Sequence, residues 1–159
     1  MCREWCIQAT MTRTQSHTIA ILNQLIETCK DGQEGFLAAA SRIPDGDLKA
    51  LLESYSRQRG QFVGELQEEV RRRGGDAEST GGAIGTRCRV WIDETVGERA
   101  IITKCERGED AALKNYQAAI VADLPEDVLA RVQQHYTQIC ETHDLMRALG
   151  KAGTEERMP

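Results

Sequence analysis

Apolar residues recur every three or four positions over long stretches of this chain, which is the spacing of an amphipathic helix. The first stripe predicts a helix from Thr18 to Ala40. The later stripes predict helices from Leu48 to Val70, from Cys88 to Ala119 with a break near Gly97, and from Leu124 to Gly150. We therefore expect an all-α fold in which these segments pack as a four-helix bundle.

Proline, aspartate and glycine mark where these helices stop and start. Ile43-Pro44 ends the first helix, because the residue before proline avoids the helical region, and Asp47 is placed to cap the second. A glycine-rich connection from Gly75 to Gly85 follows the second helix. It is long enough to form either a turn or a crossover along the bundle, so the order of the helices in space stays open.

The size and charge of the chain limit its function. A length of 159 residues fits one domain, predicted as a bundle over residues 17–150 with flexible tails at 1–16 and 151–159. The formal net charge is -5 and both signs are mixed along the chain, which argues against binding nucleic acid. No apolar run approaches the roughly 18 residues of a membrane span, and we expect a cytoplasmic protein.

The cysteines are expected to be reduced thiols. Cys29, Cys105 and Cys140 lie in apolar helical stripes, where cysteine commonly acts as a small buried hydrophobe. Cys2 and Cys6 are four residues apart, but no second Cys/His pair with zinc-finger spacing follows them.

A set of short motifs lies in a defined order along the chain. They are the segment from Leu25 to Phe36, Gln58-Arg59 with Glu65-Leu66, Gly74-Gly75, Arg89 with Trp91, and the segment from Glu106 to Asp110. Together they resemble an uncharacterised bacterial family of ferritin-like four-helix-bundle proteins. The resemblance covers about Ile19 to Leu149 and implies a ferritin-like bundle without implying a reaction. Such proteins tend to have histidine where this chain has Cys88.

Carboxylates close to the apolar stripes raise the question of a metal centre inside the bundle. The candidate ligands for iron or manganese are Glu27 and Glu34 in the first helix, Glu106 and Glu109 in the third, and His143 in the fourth. A di-iron carboxylate centre takes a glutamate from each of two helices and a Glu-x-x-His pair from each of the other two. The second helix has no such pair, and Glu141 and His143 point about 200° apart, so the spacing does not match.

An interior ion pair is the alternative to a metal. Arg59 lies on the apolar stripe of the second helix, where its guanidinium would pair with Glu27, Glu34 or Glu109 and repel a cation. We favour this salt bridge over a metal site, because buried charges must be paired. A partial or mononuclear metal site remains the alternative.

The other histidines and the tyrosines suggest no chemistry. His17 and His135 are expected to be exposed or peripheral, without a role. Tyr55, Tyr116 and Tyr136 are expected to fill the core with their hydroxyls at its edge.

Three functional hypotheses follow. The leading one is a non-enzymatic bundle that acts by self-association, as a dimer or higher oligomer, or by binding a protein partner. The second is a metal-binding or ferroxidase-like protein that uses iron or manganese. The third is a thiol-based redox sensor that uses Cys2, Cys6 or Cys140.

Overall fold

The computed structural model describes residues 2–77 and 97–155, with side chains for residues 13–77 and 97–152. Within these ranges the chain forms no strand, and its helices are α1 (Cys2–Ala40), α2 (Gly46–Arg72), α3 (Glu98–Ile120) and α4 (Glu126–Glu155). The all-α, four-helix prediction is confirmed.

The turn between α1 and α2 is capped by a different aspartate from the one expected. Asp45 has the extended backbone of an N-cap residue, and its Oδ1 accepts a hydrogen bond of 2.8 Å from the backbone N–H of Leu48. Asp47 instead lies in the first turn of α2, where a negative charge favours the positive end of the helix dipole. The proline before Asp45 fixes where the helix can begin, and Asp45 is the first acceptor after it.

Two helices are longer than their apolar stripes. α1 begins at Cys2, well before Thr18, and α4 continues to Glu155, beyond Gly150. Apolar spacing marks the part of a helix that packs against other elements, and a helix can continue past that part. The division into a bundle domain and two tails stays a prediction.

The predicted break near Gly97 is the point where α3 begins. Gly97 has extended backbone and is the N-cap of α3, whose first residue is Glu98. The earlier part of the predicted third helix, from Cys88, lies outside the described residues.

α1 runs antiparallel to both α2 and α3. The short connection of residues 41–45 makes α1 and α2 a hairpin. Asn115 Nδ2 donates a hydrogen bond of 3.0 Å to Thr28 Oγ1, while Ala39, further along α1, lies in the same cleft wall as Ile101 near the start of α3. Later residues of α1 therefore lie beside earlier residues of α3, as in any antiparallel pair of helices.

α4 runs antiparallel to α2. Arg73, just after α2, contacts Asp127 at the start of α4 at 3.2 Å, and Gln58 bonds Gln138 at 2.9 Å. α4 also packs against α3, to which the short segment of residues 121–125 connects it.

These pairings determine the relative direction of α2 and α3. Since both helices are antiparallel to α1, they are parallel to each other, and the end of α2 lies at the opposite end of the bundle from the start of α3. Most of the stretch from Gly75 to Gly85, and all of residues 78–96, lie outside the described residues.

The core consists of two apolar clusters separated by a polar layer. One cluster surrounds Leu25, Phe62, Leu66 and Val132, and the other surrounds Phe36, Leu52, Ile102 and Met146. The buried polar residues between them are Ser56, Arg59, Glu109 and His143.

None of the described helices is long and apolar enough to cross a membrane.

Candidate binding site

A buried ion pair joins α2 and α3 across the centre of the bundle. Arg59 donates through Nη2 to Glu109 Oε2, and the two residues are 1% and 2% exposed. The other terminal nitrogen of Arg59 donates to Gln58 Oε1 at 2.7 Å. The guanidinium carbon lies 5.7 Å from the ring centroid of Phe36 and 5.3 Å from that of Phe62, within the range of cation–π contacts.

The electrostatics of this pair explain why it is retained in the interior. Burial raises the pKa of Glu109, and the positive charge and hydrogen bond of Arg59 offset part of that rise. Burial of an unpaired charge is costly, so each group requires the other. Glu109 is one of the three partners that the sequence suggested for Arg59.

The two glutamates of α1 do not join this pair. Glu34 is exposed, and Glu27 is half-buried with its Oε1 at 3.5 Å from Lys30 Nζ. Glu27 Oε1 is itself buried and accepts no hydrogen bond among the described residues. The two glutamates lie on one face of α1 as expected, but Arg59 pairs with Glu109 instead of with either of them.

The remaining candidate ligands have partners of their own. Glu106 is half-buried, with its Oε1 at 3.4 Å from Arg147 Nε. His143 is buried, and its Nε2 lies 2.8 Å from Asp110 Oδ1 without the geometry of a hydrogen bond. Its Nδ1 lies 3.3 Å from Asp144 Oδ1.

The described side chains therefore do not fit a metal centre. Among them, no three histidine, cysteine, aspartate or glutamate residues are grouped so that they could hold a metal ion. Glu109, one of the two candidates in the polar layer, already pairs with Arg59. The five-residue metal site stays a prediction, and this geometry does not favour it.

A second network of hydrogen-bonded polar side chains crosses the bundle, and it was not predicted from the sequence patterns. Cys29 Sγ lies 3.0 Å from Tyr116 Oη, which lies 3.1 Å from His135 Nδ1. His135 Nε2 lies 2.7 Å from Glu65 Oε2, which also accepts a hydrogen bond of 2.9 Å from Arg131. The prediction that His135 is exposed or peripheral is wrong, because its side chain is 1% exposed.

The spacing within α4 contains the signal for a buried histidine. His135 follows Val132 by three residues and precedes Ile139 by four, and both of those residues are fully buried. Its ring also stacks on Phe62, with centroids 3.9 Å apart and an interplanar angle of 13°. The apolar stripe of α4 passes through position 135. The prediction placed the stripe through Tyr136 instead, and His135 was therefore expected to be exposed or peripheral.

The hydrogen bonds of this second network are all directed toward Glu65. Burial raises the pKa of this carboxyl group, but hydrogen bonds from His135 and its other neighbours outweigh that effect and the pKa is lowered. An ionised Glu65 accepts a hydrogen bond from the Nε2–H of His135, so the unprotonated Nδ1 of His135 accepts a hydrogen bond from the hydroxyl of Tyr116. The hydroxyl oxygen of Tyr116 then accepts a hydrogen bond from the thiol of Cys29.

The buried groups in this region are held neutral. Burial lowers the pKa of His135, and its hydrogen bond to Glu65 offsets part of that effect. Burial raises the pKa of Tyr116, raises that of Cys29 to about 11, and raises that of the Cys105 thiol to about 12. A thiol with so high a pKa is a poor nucleophile, so Cys29 and Cys105 do not suit a redox sensor.

An apolar cleft lies between α1 and α3, beside the ion pair. Its volume is about 240 Å³. The buried residues that form its floor are Phe36, Ala39, Ile101, Glu109 and Ala112. Asp31, Lys104 and Ala111 lie on its more exposed edges. The charged residues of this region could be predicted from the sequence, but the cleft could not, because it depends on how two helices pack.

Glycines within both helices keep the cleft open. A methyl group at Gly35 or Gly108 would meet nothing within 4 Å, and both positions line the cleft. Gly32 differs, since a Cβ there would lie 3.3 Å from Arg59 Cγ. Glycine inside a helix is less stable than alanine by about 0.5–1 kcal/mol, so packing alone does not explain Gly35 and Gly108.

Residues 17–122 match a protein family described as a domain of unknown function, DUF2383. The matched segment is about two thirds of the chain. The chain belongs to the DUF2383 family. The match includes every residue that lines the cleft and both members of the Arg59–Glu109 pair, and it ends before His135 and His143.

A solved structure shares the fold of this DUF2383 chain. It is a mutant of Dps1 from Mycobacterium smegmatis, with a TM-score of 0.65 and 15% sequence identity, covering 86% of this chain and 96% of that chain. The predicted ferritin-like four-helix bundle is thereby confirmed. No curated protein matches the DUF2383 chain.

Proposed function

We propose that this protein acts by binding a protein partner in the cleft between α1 and α3, and that it is not an enzyme. The observation that supports this proposal is the pair of helical glycines, Gly35 and Gly108, which leave the cleft open although alanine would fit at either position. A surface cleft with an apolar floor and polar edges is typical of a site that takes a side chain of another molecule.

The polar interior has a structural role in this proposal. Arg59 and Glu109 satisfy each other, and His135 is satisfied by Tyr116 and Glu65. Catalysis by general acids and bases requires titratable groups that reach a substrate, and these groups are bonded to one another inside the bundle.

Metal handling is the alternative, and it has a direct test. The element content of untagged protein is measured before and after anaerobic incubation with Fe(II) and dialysis. Iron or manganese near one or two atoms per chain, lost in Glu106→Ala, would favour metal handling over our proposal. The proposal predicts no stoichiometric metal in either sample.

Partner binding is tested by co-purification with matched variants. In Gly108→Leu the new side chain fills the cleft from a position where a Cβ meets nothing. Gly64→Leu is the control, because Gly64 is an exposed mid-helix glycine of α2 with equally open space and does not line the cleft. Circular dichroism confirms that both variants fold.

The expected result is a protein recovered with the wild type and Gly64→Leu and depleted at least tenfold with Gly108→Leu. Equal recovery with all three proteins would contradict the proposal. Self-association as a dimer or higher oligomer also stays a prediction, which sedimentation velocity over a range of concentrations tests.

A further inference from the structure

Tyr116 is placed so that its phenol can lose an electron and a proton inside the bundle. We infer that Tyr116 is a one-electron redox site. A small one-electron oxidant at the protein surface takes the electron, the phenolic proton passes to His135, and the Nε2 proton of His135 passes to Glu65. The inference goes beyond the proposed function and does not depend on the cleft, because none of these three residues lines it.

The hydrogen bonds of Tyr116 provide a base for its proton. Its Oη lies 3.1 Å from Nδ1 of His135, and Nε2 of the same ring lies 2.7 Å from Oε2 of Glu65. With the ring proton on Nε2, the Nδ1 atom accepts the hydrogen bond of the phenol. A backbone carbonyl would satisfy a buried hydroxyl equally well, but it would not take up the proton. The acceptor of Tyr116 is instead a neutral imidazole that is bonded to an ionised carboxylate.

The surrounding packing holds this proton path in place. Tyr116 and His135 are 0% and 1% exposed, and the imidazole stacks on Phe62 with ring centroids 3.9 Å apart. Glu65 also accepts hydrogen bonds of 3.0 Å from Gln61 and 2.9 Å from Arg131, which fix its carboxylate beside the imidazole. Groups that already lie at hydrogen-bond distance need no rearrangement before a proton moves between them.

The transfer leaves no new charge in the buried part of the bundle. Loss of an electron alone would leave a phenol cation in an apolar interior, which is costly. When both protons move, Tyr116 becomes a neutral radical, His135 stays neutral as its other tautomer, and Glu65 becomes a neutral carboxylic acid. One electron goes to the oxidant and both protons stay in the chain. The change in charge therefore falls on Glu65, whose side chain is 28% exposed.

The other two tyrosines do not have such a base in the described part of the chain. The hydroxyl of Tyr136 accepts a hydrogen bond of 2.9 Å from Gln117, whose amide does not take up a proton at neutral pH. Tyr55 packs its ring on Phe36 with centroids 5.5 Å apart, and burial raises the pKa of its hydroxyl. Tyr116 is therefore the tyrosine whose oxidation this interior favours.

The test follows the tyrosyl radical after a laser flash. Full-length protein with Tyr55→Phe and Tyr136→Phe keeps Tyr116 as its only tyrosine. A photo-oxidised ruthenium polypyridyl complex in solution supplies the oxidant, and transient absorption and electron paramagnetic resonance record the radical. We expect a neutral tyrosyl radical in this protein and none when Tyr116→Phe is added. Formation of tryptophan radicals only, or of no radical, in the protein that keeps Tyr116 would overturn the inference.

A matched pair of variants in the same background tests the proton route. Glu65→Gln still accepts the hydrogen bond of His135 through its amide oxygen, but it cannot take up the proton. Glu68→Gln is the control, because it removes the same charge within one turn of α2, and the described partners of Glu68 are the exposed Arg71 and Arg72. Circular dichroism confirms that both variants fold.

The expected contrast is a difference in the rate of radical formation. In Glu65→Gln the proton must stay on the buried imidazole, whose pKa is lowered by burial. One pKa unit of lost basicity is about a factor of ten, so we expect radical formation to slow about tenfold in Glu65→Gln and to be unchanged in Glu68→Gln.

Infrared difference spectra supply a signal that a purely structural role of Glu65 would not produce. After the flash, the carbonyl stretch of a protonated carboxyl group should appear in Glu68→Gln and be missing in Glu65→Gln. Equal rates of radical formation in the two variants, or equal infrared difference spectra, would overturn the inference.

Discussion

At the residue scale, Arg59 and Glu109 form an ion pair that is almost fully buried. Replacing either one alone leaves a buried charge without its partner, which costs about 3–5 kcal/mol. We therefore predict that Arg59→Met and Glu109→Met each lower the free energy of unfolding by that amount. The double variant should lose much less, because two apolar side chains of similar volume replace the pair.

Urea denaturation of the four proteins in this double-mutant cycle measures the coupling. A double variant that loses the sum of the two single effects would show that the pair contributes no interaction energy, contrary to our account.

His135 gives the protein a predictable response to acid. Burial lowers its pKa in the folded state, so the folded protein resists protonation more than the unfolded chain does. The stability that the neutral ring contributes is present above its ordinary pKa of about 6.5 and is lost as the pH falls below that value toward the folded-state pKa.

The groups that face His135 do not titrate in the same range. Cys29 and Tyr116 have raised pKa values, and Glu65 has a lowered one. The urea midpoint of the wild type should therefore decrease as the pH is lowered from 8 to 5.5, and that of His135→Gln should change less. Equal pH dependence in the two proteins would contradict the assignment of this effect to His135.

The residue scale is also where the sequence was least informative. Arg59 could be recognised because it interrupts an apolar stripe, and Glu109 was one of its suggested partners. The link between Cys29, Tyr116 and His135 joins three helices, and the phase of the stripe in α4 decides whether His135 belongs to it. An error of one residue in the phase of this stripe was enough to place His135 outside the buried face of α4.

At the element scale, the helical glycines separate packing from function. Gly35→Ala, Gly108→Ala and the control Gly64→Ala should each raise the free energy of unfolding by about 0.5–1 kcal/mol, because alanine favours the helix and fits without contact. Gly32→Ala should instead lower it. Its Cβ would press on Arg59, which Glu109 and two aromatic rings hold in place.

Thermal and chemical unfolding of the four variants measure this contrast. If Gly35→Ala and Gly108→Ala destabilise the protein while Gly64→Ala does not, these glycines serve helix packing and the argument for an open cleft is lost.

At the scale of the whole molecule, the sequence predicted the fold more reliably than it predicted the site. Apolar spacing predicted the helices, and Pro44 and the glycines predicted where most of them end. The relative direction of α2 and α3 could not be predicted from the connection between them, since its length allows two topologies. Contacts between helices, such as Arg73 with Asp127, decide between them.

The cleft shows why the site was harder to predict than the fold. It is formed by residues from two helices that are more than sixty positions apart in the sequence, and its defining feature is the space beside Gly35 and Gly108. The charges near the apolar stripes indicated a site made of Glu27, Glu34, Glu106, Glu109 and His143, which the described part of the structure does not bring together.

The most direct test of the central claim is site-specific photo-cross-linking in cells. A benzophenone amino acid replaces Ala111, on the exposed edge of the cleft, or Ala130, an exposed control position on α4. We predict a discrete cross-linked product from position 111 that is absent from position 130 and is lost when Gly108→Leu is added. No product from position 111, or one that Gly108→Leu leaves unchanged, would contradict binding in this cleft.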